Sequence, residues 1–155
     1  MRKFIVLSLL LSSLTGCATT APSSYGNFAQ GVTANDKKMA DDAVKQLVAL
    51  YPPARTRLDL QHAAPDAFGT AMIEGLRAKG YALMEFKPES AGQGKPPADA
   101  ANPQAAGLPL SYILDQAAGS GLYRISLLVG HQSLTRAYQA KDGTVYPAGY
   151  WVRKE

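Results

Sequence analysis

At 155 residues, 46% of them hydrophobic and 18% charged, the chain is long enough to bury one core and too short for two ordinary domains. Its formal charge of +4 falls to +2 if a leader holding Arg2 and Lys3 is removed, too little for the many phosphate contacts that non-specific nucleic-acid binding needs. A single cysteine cannot form an internal disulfide, so the core alone must hold the fold.

Arg2 and Lys3 are followed by the apolar run Phe4–Leu11 and then by Ser12-Ser13-Leu14-Thr15-Gly16-Cys17. The run is shorter than the roughly 20 apolar residues a membrane-crossing helix requires, which predicts a secretory leader over residues 1–16. Leu14-Thr15-Gly16-Cys17 resembles a lipobox, with a branched apolar residue three places before the thiol and small residues next to it. Small residues let the chain lie extended in a protease cleft, and the thiol is the nucleophile that accepts diacylglycerol. Cleavage between Gly16 and Cys17 and lipidation of Cys17 are therefore expected. Ala18 stands where inner-membrane retention would show Asp, so the expected destination is the outer membrane, with the domain facing the periplasm. The lipid is a physical anchor, since each buried CH₂ contributes about 0.8 kcal/mol.

Residues 17–34 are small and polar, and predict a lipidated flexible tether with a reach of roughly 20–25 Å. A single domain is expected over 35–155. Its first helix runs from about Asn35 to Leu50. Met39 or Ala40, Ala43, Val44, Leu47 and Tyr51 make an apolar stripe, and Asp36, Asp41, Asp42, Lys45 and Gln46 make a solvated face. Pro52-Pro53 stops it. Arg55–Leu60 alternates as a half-buried strand. A second helix has Pro65 in its first turn, Asp66 at its positive end and Gly80 at C′, and it buries Phe68, Met72, Ile73 and Leu76. Tyr81–Phe86 completes a strand–helix–strand unit, which implies parallel strands.

Residues 87–109 hold five prolines and three glycines and predict a long loop, a mobile insertion or a functional segment. Beyond it the chain is β-rich, with strands at Leu110–Asp115, Leu122–Val129, Ser133–Ala140 and Thr144–Trp151. The last two are joined by Lys141-Asp142-Gly143, a type I′ hairpin sequence. Pro147 removes a ladder donor and predicts an edge or a bulge. The expected class is α+β: two helices packed on one face of a mixed sheet, ordered α-β-α-β and then a β-meander.

No constellation for catalysis emerges. His62 and His131 lack a second ligand at metal spacing and are expected as exposed loop residues; the carboxylates are scattered. Neither catalytic residues, a metal site nor a cofactor is expected. The aromatics are more telling. Tyr112, Tyr123, Tyr138, Tyr146, Tyr150 and Trp151 crowd into the β-rich third, where some must close the core and others, with Tyr138, Tyr150 and Trp151 as candidates, could dock a partner.

Several short stretches then carry a family likeness. They are Tyr51-Pro52-Pro53-Ala54-Arg55-Thr56, Phe68 through Leu76-Arg77 to Gly80-Tyr81, and Tyr112-Ile113-Leu114-Asp115. Tyr123-Arg124, Arg136-Ala137-Tyr138 and Pro147-Ala148-Gly149-Tyr150-Trp151 follow. In this order they resemble the TrbH family of conjugal-transfer lipoproteins. The resemblance implies a structural, non-enzymatic component of a conjugative type IV secretion (mating-pair formation) core complex. It would sit in a hetero-oligomeric ring with larger periplasmic and outer-membrane proteins, held to the membrane through the lipid on Cys17, with no direct nucleic-acid contact. The alternatives are a periplasmic inhibitor or exclusion lipoprotein that binds one soluble target, and an orphan hydrolase.

Overall fold

The computed structural model describes residues 24–29, 33–87 and 107–155. The leader, Gly16 and Cys17, the first part of the expected tether and most of the expected 87–109 loop lie outside the described residues.

The domain is α+β, with two helices and an eight-stranded mixed sheet. Strand β1 is Gly26–Asn27, helix α1 Thr33–Leu50, β2 Arg57–Leu60, α2 Ala67–Ala78 and β3 Ala82–Met84. Then come β4 Leu108–Gln116, β5 Leu122–Val129, β6 Gln132–Lys141, β7 Thr144–Pro147 and β8 Val152–Lys154. The sheet order is β3-β2-β4-β5-β6-β7, with β1 beside β4 and β8 beside β6. As expected of a strand–helix–strand unit, β2 and β3 run parallel. Strand β2 is also parallel to β4, and β4 through β7 form an antiparallel meander.

Alternation along the strands decides what is buried. Leu110, Tyr112 and Leu114 of β4 and Tyr123, Ile125, Leu127 and Val129 of β5 join the core with Leu134 and Tyr138 of β6. The residues between them carry polar pairs instead: Asp115 with Arg124, and Ser126 with Thr135. Against the apolar face lie Met39, Ala43, Val44 and Leu47 of α1 and Phe68, Met72 and Leu76 of α2, all buried as the periodicity predicts. Asp66 caps α2 by accepting the Gly69 N–H at 2.9 Å. Pro65 therefore precedes the cap and is not in the first turn, while Gly80 follows the Lys79 cap as expected.

Further expectations need correction, among them the solvated face, since Asp36 is 6% exposed. Residues 24–29, assigned to a flexible tether over 17–34, lie on the sheet, with Gly26 and Asn27 beside Ile113 and Leu114 and the Phe28 N–H donating to Leu114 O at 2.7 Å. The strand expected from Arg55 begins at Arg57, because Pro53–Arg55 forms a 3₁₀ turn. The strand expected over Thr144–Trp151 is two strands. Strand β7 ends at Pro147, and after an excursion β8 rejoins the same edge of β6. Finally, His62 is not an exposed loop residue: it is only 6% exposed. The hairpin behaves as predicted, with positive φ at both Asp142 (51°) and Gly143 (76°).

Candidate docking edge

Asp42 lies on the third turn of α1, and periodicity alone assigns it to water. In the fold its Oδ2 instead collects three donors from the far end of the chain. Arg136 Nη1 donates at 2.8 Å, the Tyr138 hydroxyl at 2.6 Å and Trp151 Nε1 at 3.2 Å. Arg136 and Tyr138 alternate onto the helix-facing side of β6, and the chain crosses back at Trp151. Arg136 forks: its Nε donates to Gly149 O at 2.9 Å, while the Ala148 N–H donates to Ala137 O at 2.9 Å. Thus the excursion between β7 and β8 is held at both ends and pinned to α1 through one carboxylate.

The pairing is charge-assisted and partly buried, with 17% of the Arg136 side chain and 26% of that of Asp42 exposed. Burial pushes the Tyr138 hydroxyl well above the ordinary phenol value, and its bond to Asp42 adds to that. Tyr138 therefore acts as a neutral donor. Beside it Lys38 donates to Thr144 Oγ1 at 3.2 Å and lies 4.6 Å from the Tyr146 ring centroid. Lys38, Asp42, Tyr138 and Val145 border a cleft of about 210 Å³.

The three aromatics expected to dock a partner therefore have three different fates. Tyr138 is a core residue, Trp151 is half-buried with its indole N–H committed to Asp42, and Tyr150 is 92% exposed. Val152 and Tyr146 are exposed as well. The sequence pattern missed Asp42, Arg136 and the role of Val152. The pinned excursion carries Tyr150 two residues before β8, a strand that pairs with β6 and with no other described strand.

A second polar cluster closes the other flank. The ring of His62 accepts the Tyr112 N–H at Nε2 (3.2 Å), lies 2.9 Å from Ala63 O through Nδ1, and packs on the Tyr112 and Tyr25 rings. Both ring nitrogens are thus engaged with backbone. The Tyr112 hydroxyl donates to Asp66 Oδ2. A Cβ at residue 69 would stand 2.3 Å from that hydroxyl, so Gly69 is what lets the phenol reach the helix cap. Every polar atom here has a structural partner. His131 is exposed in the β5–β6 turn. Among the described residues no three His, Cys, Asp or Glu side chains converge as metal ligands. No described helix is long and apolar enough to cross a membrane.

No curated protein and no solved structure matches the chain. The family model described as conjugal transfer protein TrbH matches residues 22–155, which takes in both helices, the whole sheet and the pinned excursion. The chain belongs to the TrbH family of conjugal transfer proteins.

Proposed function

We propose that the mature protein is a lipoprotein of the outer membrane, held by lipid on Cys17 with its domain in the periplasm. There it serves as a structural component of the conjugative core complex and docks larger periplasmic partners through the edge formed by Tyr150, Val152 and β8. The observation that carries the docking role is the pinned excursion. An Asp42–Arg136–Tyr138–Trp151 network is an expensive arrangement to bury, and what it holds in place is a fully exposed tyrosine beside an unpaired strand edge. Tyrosine contributes disproportionately to interfaces, and an open edge offers backbone hydrogen bonds to an added strand. The lipobox supports the anchor, and the family supports the setting. The role needs no catalytic residue, since the polar groups of both clusters are spent on holding the fold.

The test is extraction of donor-cell membranes with mild detergent. Wild-type protein should co-purify with envelope proteins of the transfer system in one large complex. Tyr150→Ser combined with Val152→Ser should leave that complex while keeping a wild-type circular dichroism spectrum, because neither side chain is buried. Recovery of wild-type protein as a free monomer, or on a single soluble target, would count against the scaffold and for an inhibitor.

A further inference from the structure

One edge of β4 is covered by three different groups in succession. Alternate residues, Leu110, Tyr112 and Leu114, turn their backbone polar atoms to that edge. The Gln61 N–H, just after β2, donates to Leu110 O at 3.0 Å, and the Phe28 N–H, just after β1, donates to Leu114 O at 2.7 Å. In the gap that neither strand fills, the Tyr112 N–H donates to His62 Nε2 at 3.2 Å. The imidazole stands in for a strand there, and Tyr25, one residue before β1, stacks on it with ring centroids 5.7 Å apart.

These contacts fix where the ring carries its proton. A backbone N–H can only donate, so Nε2 presents a lone pair and the proton of the neutral ring sits on Nδ1, 2.9 Å from Ala63 O. An imidazolium carries a proton on both nitrogens. In this position it would set its Nε2–H against the Tyr112 N–H, donor against donor. The charged groups on this flank are Asp66, bonded to the Tyr112 hydroxyl, Asp36, bonded to Asn27, and Glu85, paired with Arg77; none of them bonds to the ring. The carboxylates attract a proton to this flank, yet none stands at Nε2 to hold the imidazolium where it is. His62 borders a cleft of about 230 Å³ with Ala63, Pro65, Glu85 and Phe86, so a proton crosses little protein to reach it.

We propose that His62 is an acid-sensitive latch, whose protonation withdraws the ring from β4 and releases residues 24–29 from the sheet. The remaining ties of that segment are few. Strand β1 has two residues, Asn27 reaches Asp36 only at 3.3 Å, and Ala29 lies at the margin of the core. Release opens the β4 edge at Ile113 and Leu114. Its effect on the tether rests on the reading of Cys17 as lipidated. With the segment docked, the eight residues from Cys17 to Tyr25 span at most about 26–29 Å, at roughly 3.3–3.6 Å per residue. Once it is released, the sixteen residues from Cys17 to Thr33 span at most about 53–58 Å on the same scale.

The test uses the full lipidated protein in detergent micelles with Ser24→Cys and His131→Cys, both exposed sites. The second change also leaves His62 as the sole imidazole. Nitroxides on the two thiols report their separation by pulsed electron resonance. Free imidazoles protonate between about pH 5 and 8, so one narrow distance is expected at the alkaline end of that range. At the acid end most molecules should show a broad, longer distribution, and the midpoint should coincide with titration of the His62 ring-proton resonance. His62→Gln offers an amide oxygen to the Tyr112 N–H and does not titrate, so it should keep the narrow distance throughout. Asp36→Asn should respond as the wild type does. A distance unchanged across the range, a midpoint apart from that of the ring, or equal release in folded His62→Gln would overturn the latch, as would loss of the response in Asp36→Asn. Should His62→Gln not fold, the coincidence of midpoints decides alone. A third nitroxide on the chain would show a free Cys17, which overturns the anchor and the lengthened tether, while the latch still stands or falls by the distances.

Discussion

Asp36 and Asp42 share one helix and look alike in sequence, yet they face opposite electrostatic situations. Asp42 is satisfied by a cation and two neutral donors. Asp36 is 6% exposed; among the described residues its Oδ1 has no hydrogen-bond partner, and Asn27 donates to the other oxygen. Burial holds its carboxyl above the ordinary value of 3.8; the Asn27 bond opposes this, and the Asp66 carboxylate adds to it. The positive end of α1 favours a negative charge there, but it does not outweigh the loss of water. The folded state binds this proton more tightly than the unfolded chain. The contribution to stability is therefore fully present below 3.8 and is lost as pH rises through the folded value. Asp36→Asn keeps an acceptor for Asn27 and removes the charge. It should raise the urea midpoint at pH 7, and the gain should shrink towards zero as the pH falls below 3.8. A lower midpoint at pH 7 would mean that the charge stabilises α1 after all. Neither carboxylate's fate was legible in the sequence. Helical periodicity ranks positions by angle: Asp42 sits beyond the edge of the apolar stripe, whereas Asp36 shares the face of Met39, Ala40 and Ala43 and was set aside only because its side chain is charged.

At the scale of elements, Asp42 is what joins the C-terminal segment to α1. Asp42→Ala would leave the partly buried Arg136 cation and the buried Tyr138 hydroxyl without their acceptor. The expected cost is about 2–4 kcal/mol, and protease sensitivity should appear first between Pro147 and Val152. Asp42→Asn keeps one acceptor oxygen and should cost less than half as much. Equal effects of the two, measured by urea unfolding, would show that the charge contributes nothing. Punctuation that acts locally was readable from sequence: Asp66 at the positive end of α2, Gly80 beyond it, and the Asp142-Gly143 turn were each specified by neighbouring residues, although the cap itself falls on Asp66, one residue after Pro65. The elements misread depend on distant partners. Strand β1 is two residues long and exists only because β4 offers it an edge, and the split between β7 and β8 follows from Arg136 drawing Gly149 out of register. Likewise, Tyr138, Tyr150 and Trp151 formed one aromatic cluster in sequence. Their separation into core, strut and exposed ring required knowing where α1 lies.

For the whole molecule, the arrangement divides labour between two flanks. The β1 flank ties the N-terminal segment to β4 and α1, and the β8 flank, which follows Tyr150, has an edge that pairs with no other described strand. Between them the two helices and the meander form a frame whose polar groups are nearly all engaged in holding it together. Such a body suits a part that is positioned by lipid and recognised by shape, in keeping with its place among conjugal transfer proteins. The two histidines differ in the same way: His62 is tied to backbone through both ring nitrogens, and His131 is exposed in a turn. The most direct measurement is plasmid transfer frequency from donor cells that lack the gene. The account predicts a sharp fall, restored by the wild-type protein and by His131→Ala but not by Cys17→Ser. Undiminished transfer from the deletion strain, or full restoration by Cys17→Ser, would contradict it.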